Sequence, residues 1–115
     1  PPRREDAGGV ETLVFVLYDI PSNRVRLRIA SACLDFGLER IQWSAFRGVL
    51  TSEQRGRLIE RLVLEIGSER GRLHVVPVCA ADAGRLWALD QLQTTDDRAR
   101  RPALKVLAAG GQQRP

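Results

Sequence analysis

Tyr18 and Asp19 stand where an apolar run stops and a Pro21-Ser22-Asn23 break begins, and Arg24, Arg26 and Arg28 follow within ten residues. A carboxylate at the carboxyl end of a strand is held on a rigid element and points away from the packed core. A helix amino terminus just after it, with arginines close by, attracts phosphate. One carboxylate makes a poor magnesium site by itself. Magnesium takes one or two carboxylates, keeps several waters and draws its remaining ligands from phosphate oxygens. A two-fold axis near Asp19 would supply the second carboxylate from a second copy of the chain. Two plainer roles stay open for Asp19 at this stage: capping the following helix, or pairing with Arg26.

The basic residues are unevenly placed. Residues 22–50 carry Arg24, Arg26, Arg28, Arg40 and Arg47 against Asp35 and Glu39, while residues 51–92 balance six charges of each sign. Residues 93–115 carry Arg98, Arg100, Arg101, Lys105 and Arg114 against Asp96 and Asp97. All but one of the 18 basic residues are arginine, whose planar fork suits phosphate. Arginine richness also follows from a GC-rich genome, and charges on a helix's outer face are commonly just solvated. Arg40 and Arg47 flank a hairpin, where edge-strand charges are ordinary. Tyr18, Trp43 and Phe46 have the chemistry to stack on bases, but their apolar area makes core positions the expectation. His74 has no second ligand in view and is expected to be structural. Cys33 and Cys79 lack zinc or redox spacing, and two buried free thiols in a reducing cytosol are expected.

The elements that must position these groups are legible from periodicity. Residues 12–18 (TLVFVLY) are a continuous apolar run, the pattern of a central strand buried on both faces. Residues 23–36 form an amphipathic helix. Arg24, Arg28, Ser31 and Asp35 share one stripe, Val25, Ile29, Ala32, Cys33 and Phe36 share the other, and Gly37 follows as the terminator. Arg26 lies toward the apolar flank, so it snorkels or has a partner. Residues 38–50 alternate as a hairpin or a sharply bent pair of strands, with the turn near Gln42–Ser44. Thr51-Ser52-Glu53-Gln54 is a capping box. The helix that follows buries Leu58, Ile59, Leu62, Val63 and Ile66 and stops at Gly67. Residues 72–79 (RLHVVPVC) are a strand in which Pro77 marks an edge or a bulge.

The order β-α-β-β-α-β is the split βαβ arrangement. Right-handed crossovers place both helices on one face of a four-stranded antiparallel sheet, so the fold class is α+β, ferredoxin-like. The domain is placed at residues 12–92. Residues 1–11 form a disordered arm and 93–115 a basic tail, with 93–101 as a charged linker. Within these, Leu86–Leu92 forms a short helix or an added edge strand, and Ala103–Ala108 a short strand or arm. The chain has 115 residues, enough for one core and no second domain. The longest apolar run is too short to span a bilayer, and no signal-peptide pattern opens the sequence. Methionine is absent even at position 1, which points to a processed or trimmed chain.

Asp19 ending VLYDI, Arg26 and Arg28 in the first helix, the segment LERIQWSAFRGVL and the closing strand RLHVVPVC together resemble the small CRISPR-associated Cas-two family. The resemblance covers about residues 12–92. It implies a ferredoxin-like homodimer whose two strand-one aspartates face each other, and a cytoplasmic role in spacer acquisition. The implied partners are the Cas-one integrase and duplex DNA or RNA, with no membrane. Some members are described as metal-dependent endonucleases; others bridge integrase subunits and grip duplex prespacer by its backbone. By position, the resemblance makes Asp19 the ligand of magnesium or manganese at the dimer interface. Tyr18, Arg26, Arg28, Arg40 and Phe46 line or support that centre, and Arg24, Arg26, Arg28, Arg40 and Arg47 contact nucleic acid. Trp43 stands where tyrosine is common and Ala45 where valine is common. A free-standing toxin-type endoribonuclease on the same fold is the alternative.

Overall fold

The computed structural model describes residues 9–92 and 103–106. β1 (Glu11–Asp19) is the central element, flanked by antiparallel partners β3 (Ala45–Thr51) and β4 (Arg72–Val78). β2 (Glu39–Gln42) adds outside β3, giving the order β2-β3-β1-β4. Register follows the alternation of side chains across the pleat. Val14, Val16 and Tyr18 are buried under the helices, and so are Phe46 and Leu50 of β3. Helix α1 (Asn23–Asp35) contributes Val25, Ile29, Ala32 and Cys33 to that core, and α2 (Ser52–Ile66) contributes Leu58 and Leu62.

Local chemistry sets the helix ends. The Ser22 hydroxyl accepts a hydrogen bond from the Val25 amide at 3.2 Å, and Gly37 takes a positive φ of 83° just beyond the last turn of α1. At α2 the capping box is complete: the Gln54 amide donates to Thr51 Oγ1 at 3.1 Å, and the Thr51 amide donates to Gln54 Oε1 at 2.8 Å. Arginines clasp the two helices to each other. Arg28 donates to the Glu65 carbonyl at 2.8 Å and lies 3.3 Å from its carboxylate, while Arg61 bridges Asp35 and Glu65.

Several expectations change. The core of α2 is narrower than its apolar residues imply: Ile59 and Val63 are exposed, because they lie on the flank beyond the Leu58–Leu62 row that meets the sheet. Only one face of β1 is fully buried. Leu17, Val49 and Val76 share the opposite face of the sheet and stand 40%, 54% and 40% exposed. Cys33 is buried, but Cys79 is exposed, at the start of a one-turn helix rather than in the strand. Trp43 is not core: it occupies the β2–β3 turn and is 74% exposed.

From Cys79 onward the chain forms a second compact unit. It contains α3 (Ala80–Ala83) and a two-stranded antiparallel sheet of β5 (Leu89–Leu92) and β6 (Ala103–Val106), with Leu89 opposite Val106. The region around Leu86–Leu92 therefore yields a strand, and Ala103–Val106 pairs with it. The arm at residues 1–8 and the charged linker at 93–101 lie outside the described residues, and β1 begins at Glu11, inside the stretch read as an arm. No helix among the described residues is long and apolar enough to cross a membrane.

Candidate functional site

Asp19 is the last residue of β1 and is exposed. Both plainer roles considered for it are filled by other groups. Ser22 caps α1. Arg26 gives its guanidinium to the carbonyls of Ile20 and Pro21, at 2.7 and 2.9 Å, and to Asn23 Oδ1 at 3.1 Å. The ladder places Arg72 opposite Asp19 on the same face of the sheet. Gly71 holds this corner tight: it adopts φ 150°, and an added Cβ would stand 2.7 Å from Ile20 Cγ1 and 3.1 Å from the Asp19 carbonyl oxygen. The Asp19 carboxylate is thus carried on a rigid strand end.

Tyr18, although adjacent, points to the other face. Its ring is buried and stacks with Phe46, centroids 6.4 Å apart at 17°. Above them lies Arg40, whose guanidinium carbon is 4.9 Å from the Phe46 ring centroid and 5.3 Å from that of Trp43. Arg40 also donates to the Trp43 carbonyl. A cation over two aromatic faces gains from their quadrupoles. Burial pushes the Tyr18 hydroxyl above its ordinary pKa, and the charge of Arg40 partly opposes this. The hydroxyl therefore stays protonated at neutral pH. Burial likewise pushes the Cys33 thiol up to about 12, which leaves it inert as a nucleophile.

The predicted set is brought together only in part. Tyr18, Arg26 and Arg40 line one cleft with Asn23, Leu27 and Trp43, and Phe46 is buried beneath Arg40 without lining it. Asp19 is not among the lining residues. Arg24 is exposed on α1. Arg28 is not on a free solvent stripe, because Glu65 holds it against α2. Arg47 lies on the helix-free face, tied to Glu39 across the β2–β3 pair at 2.8 Å. Sequence reading missed Asn23, Leu27 and the outward position of Trp43. The available signal was a large aromatic at the centre of a tight turn, where there is little to pack against.

Among the described residues no three His, Cys, Asp or Glu side chains gather as a metal site. One chain offers a divalent ion a single strand-end carboxylate, a donor set that suits magnesium only when phosphate, water and a second carboxylate complete it.

Strand order and layering define the class of protein: a ferredoxin-like α+β domain with a free acid at the end of its central strand. Over residues 12–86 the sequence matches the family described as CRISPR associated protein Cas2, and the chain belongs to that family. It is 40% identical over 68 residues to a CRISPR-associated endoribonuclease Cas2 of Desulforudis audaxviator, covering 59% of this chain and 64% of that protein, just under two thirds of its length. It is 40% identical over 62 residues to a CRISPR-associated endonuclease Cas1/endonuclease Cas2 fusion of Thermoproteus tenax, covering 54% of this chain and 24% of the fusion. Among solved structures, a hypothetical protein from Thermus thermophilus aligns with a TM-score of 0.57 at 22% identity over 84% of this chain and 100% of that one, which establishes likeness of fold alone.

Proposed function

We propose that this protein acts in CRISPR adaptation as a homodimer that binds duplex prespacer DNA through its backbone and bridges integrase subunits. The observation that carries this reading is the open apolar face of the sheet, with Leu17, Val49 and Val76 exposed and Asp19 at the end of the same row. An apolar sheet face of this kind wants a cover, and β4 is an edge strand with one side of its backbone unpaired in the four-stranded sheet. A second copy satisfies both needs, with the 80–92 segment adding to the partner's sheet. It also brings two Asp19 side chains toward one axis. The fused relative, in which the two named proteins are one chain, supports the integrase as partner.

Magnesium or manganese held between paired Asp19 side chains would activate water and steady charge on phosphorus. The name endoribonuclease carried by the Desulforudis relative favours a second reading, a free-standing metal-dependent ribonuclease. A reconstituted integration assay separates the two. The bridge reading requires Asp19→Ala to stay active while Arg24→Glu combined with Arg40→Glu fails. Collapse with Asp19→Ala alone replaces the bridge by the nuclease.

A further inference from the structure

His74 is the single histidine of the chain, and the structure places it outside the core. On β4, Leu73 and Val75 pack against the core under the helices, while Arg72, His74 and Val76 are exposed on the helix-free face. The ladder sets His74 opposite Leu17 and Arg72 opposite Asp19, so Asp19 and His74 are diagonal neighbours across β1 and β4 on one face. Such neighbours carry their Cβ atoms roughly 7 Å apart, a gap that an imidazole and a carboxylate can close around one ion. None of the ion pairs among the described residues engages either side chain. The other acids of this sheet face are not available to join them: Glu39 is tied to Arg47 at 2.8 Å, and Glu11 lies at the opposite end of β1.

We propose that Asp19 and His74 form half of a site for a divalent transition ion, completed by the same two residues of a second copy, and that this site takes zinc, cobalt or manganese in preference to magnesium. The inference rests on the reading of the protein as a homodimer joined through this face and names the class of ion that the shared acids hold. A second copy that covers Leu17 and Val76 also covers His74 beside them, and an imidazole taken out of water needs partners for its ring nitrogens. A two-fold axis near Asp19 supplies them by bringing both pairs to one point. Two carboxylate oxygens and two imidazole nitrogens make a four-ligand set of the kind that zinc and its neighbours bind. Magnesium instead demands oxygen and holds on to its waters. Charge balances too, because two carboxylates offset the ion and neutral imidazoles add nothing. Arg72, the register partner of Asp19, is placed to hold the carboxylate oxygen left off the ion.

The test uses the whole 115-residue chain, untagged, with Cys79→Ser to remove the exposed thiol as a competing ligand. Light scattering reads the oligomer, and cobalt chloride is titrated while visible absorption follows its d–d bands. The expected result is a dimer that takes one cobalt per two chains with intensified bands, loses it to equimolar zinc and keeps it in excess magnesium. His74→Ala and Asp19→Asn should each weaken cobalt binding by more than about tenfold, since even the outer partners of a metal ligand are worth that much. Both variants should remain dimeric, and circular dichroism confirms that they fold. A dimer that binds no cobalt, equal cobalt binding by His74→Ala, or displacement by magnesium as readily as by zinc overturns the site while leaving the homodimer in place. A monomer at micromolar concentration overturns both.

Discussion

Arg24 and Arg28 are one turn apart and share a stripe by periodicity, yet the structure gives them different work. Arg28→Ala removes a charge-assisted hydrogen bond to the Glu65 carbonyl at 2.8 Å and an ion pair to the same residue's carboxylate at 3.3 Å. The first is worth about 1.5 kcal/mol net. The second adds little, because the Arg28 side chain is 41% exposed and screened, and Glu65 keeps Arg61 at 2.8 Å. The expected loss is about 1.5 kcal/mol, or about 6–12 °C in Tm for a unit of this size. Arg24→Ala should change stability by less than about 0.5 kcal/mol. Its effect should instead appear in binding: log affinity for duplex DNA against log salt should flatten by about 0.9 for each phosphate that Arg24 no longer neutralises. Thermal melts at fixed protein concentration and anisotropy across a salt series measure both quantities. An Arg28→Ala protein that melts with the parent would refute this assignment, as would an Arg24→Ala protein destabilised as much as Arg28→Ala.

Three further outcomes follow from the same geometry. Asp19→Ala should fold and melt like the parent while abolishing any magnesium- or manganese-dependent cleavage; unchanged cleavage would place that activity elsewhere or in a contaminant. In the native protein Ellman's reagent should label Cys79 quickly and Cys33 only after unfolding, so one fast thiol per chain is expected. Gly71→Ala should destabilise by more than about 1 kcal/mol, since φ 150° and the nearby Ile20 and Asp19 backbone leave no room for a Cβ; an unchanged melting curve would contradict this.

The fold is legible in the sequence because its signals are local. The TLVFVLY run, the Thr51–Gln54 capping box and Gly37 each specify an element without help from the rest of the chain. What sequence misses depends on which flank of an element meets a neighbour. Ile59 and Val63 are apolar and correctly spaced, but they lie on the flank of α2 beside the buried Leu58–Leu62 row and stay exposed. Area alone assigns Trp43 to the core, although the turn read near Gln42–Ser44 already contains it. An Asp19–Arg26 pair is a reasonable expectation for two opposite charges close in sequence. Arg26 instead satisfies the carbonyls of the β1–α1 bend, groups no sequence pattern displays.

Burial of Cys33 should also make the fold lose stability at alkaline pH. The thiol titrates near 9.0 when unfolded and at about 12 in the native core, so above pH 9 the unfolded chain holds fewer protons than the native one. Stability that is constant below pH 9 should therefore fall as pH rises, by up to about 1.4 kcal/mol per pH unit from this group, and level off past its native value. The strand pleat keeps this effect apart from Asp19. Cys33 belongs to the core on the Tyr18 side of the sheet, whereas Asp19 sits on the opposite, solvent-exposed side. Cys33→Ala should accordingly flatten the loss of stability between about pH 9 and 10.5 in urea titrations, without altering metal-dependent cleavage or duplex binding at about pH 7.5. An unchanged alkaline slope in that variant would show that another group, and not the buried thiol, governs the loss.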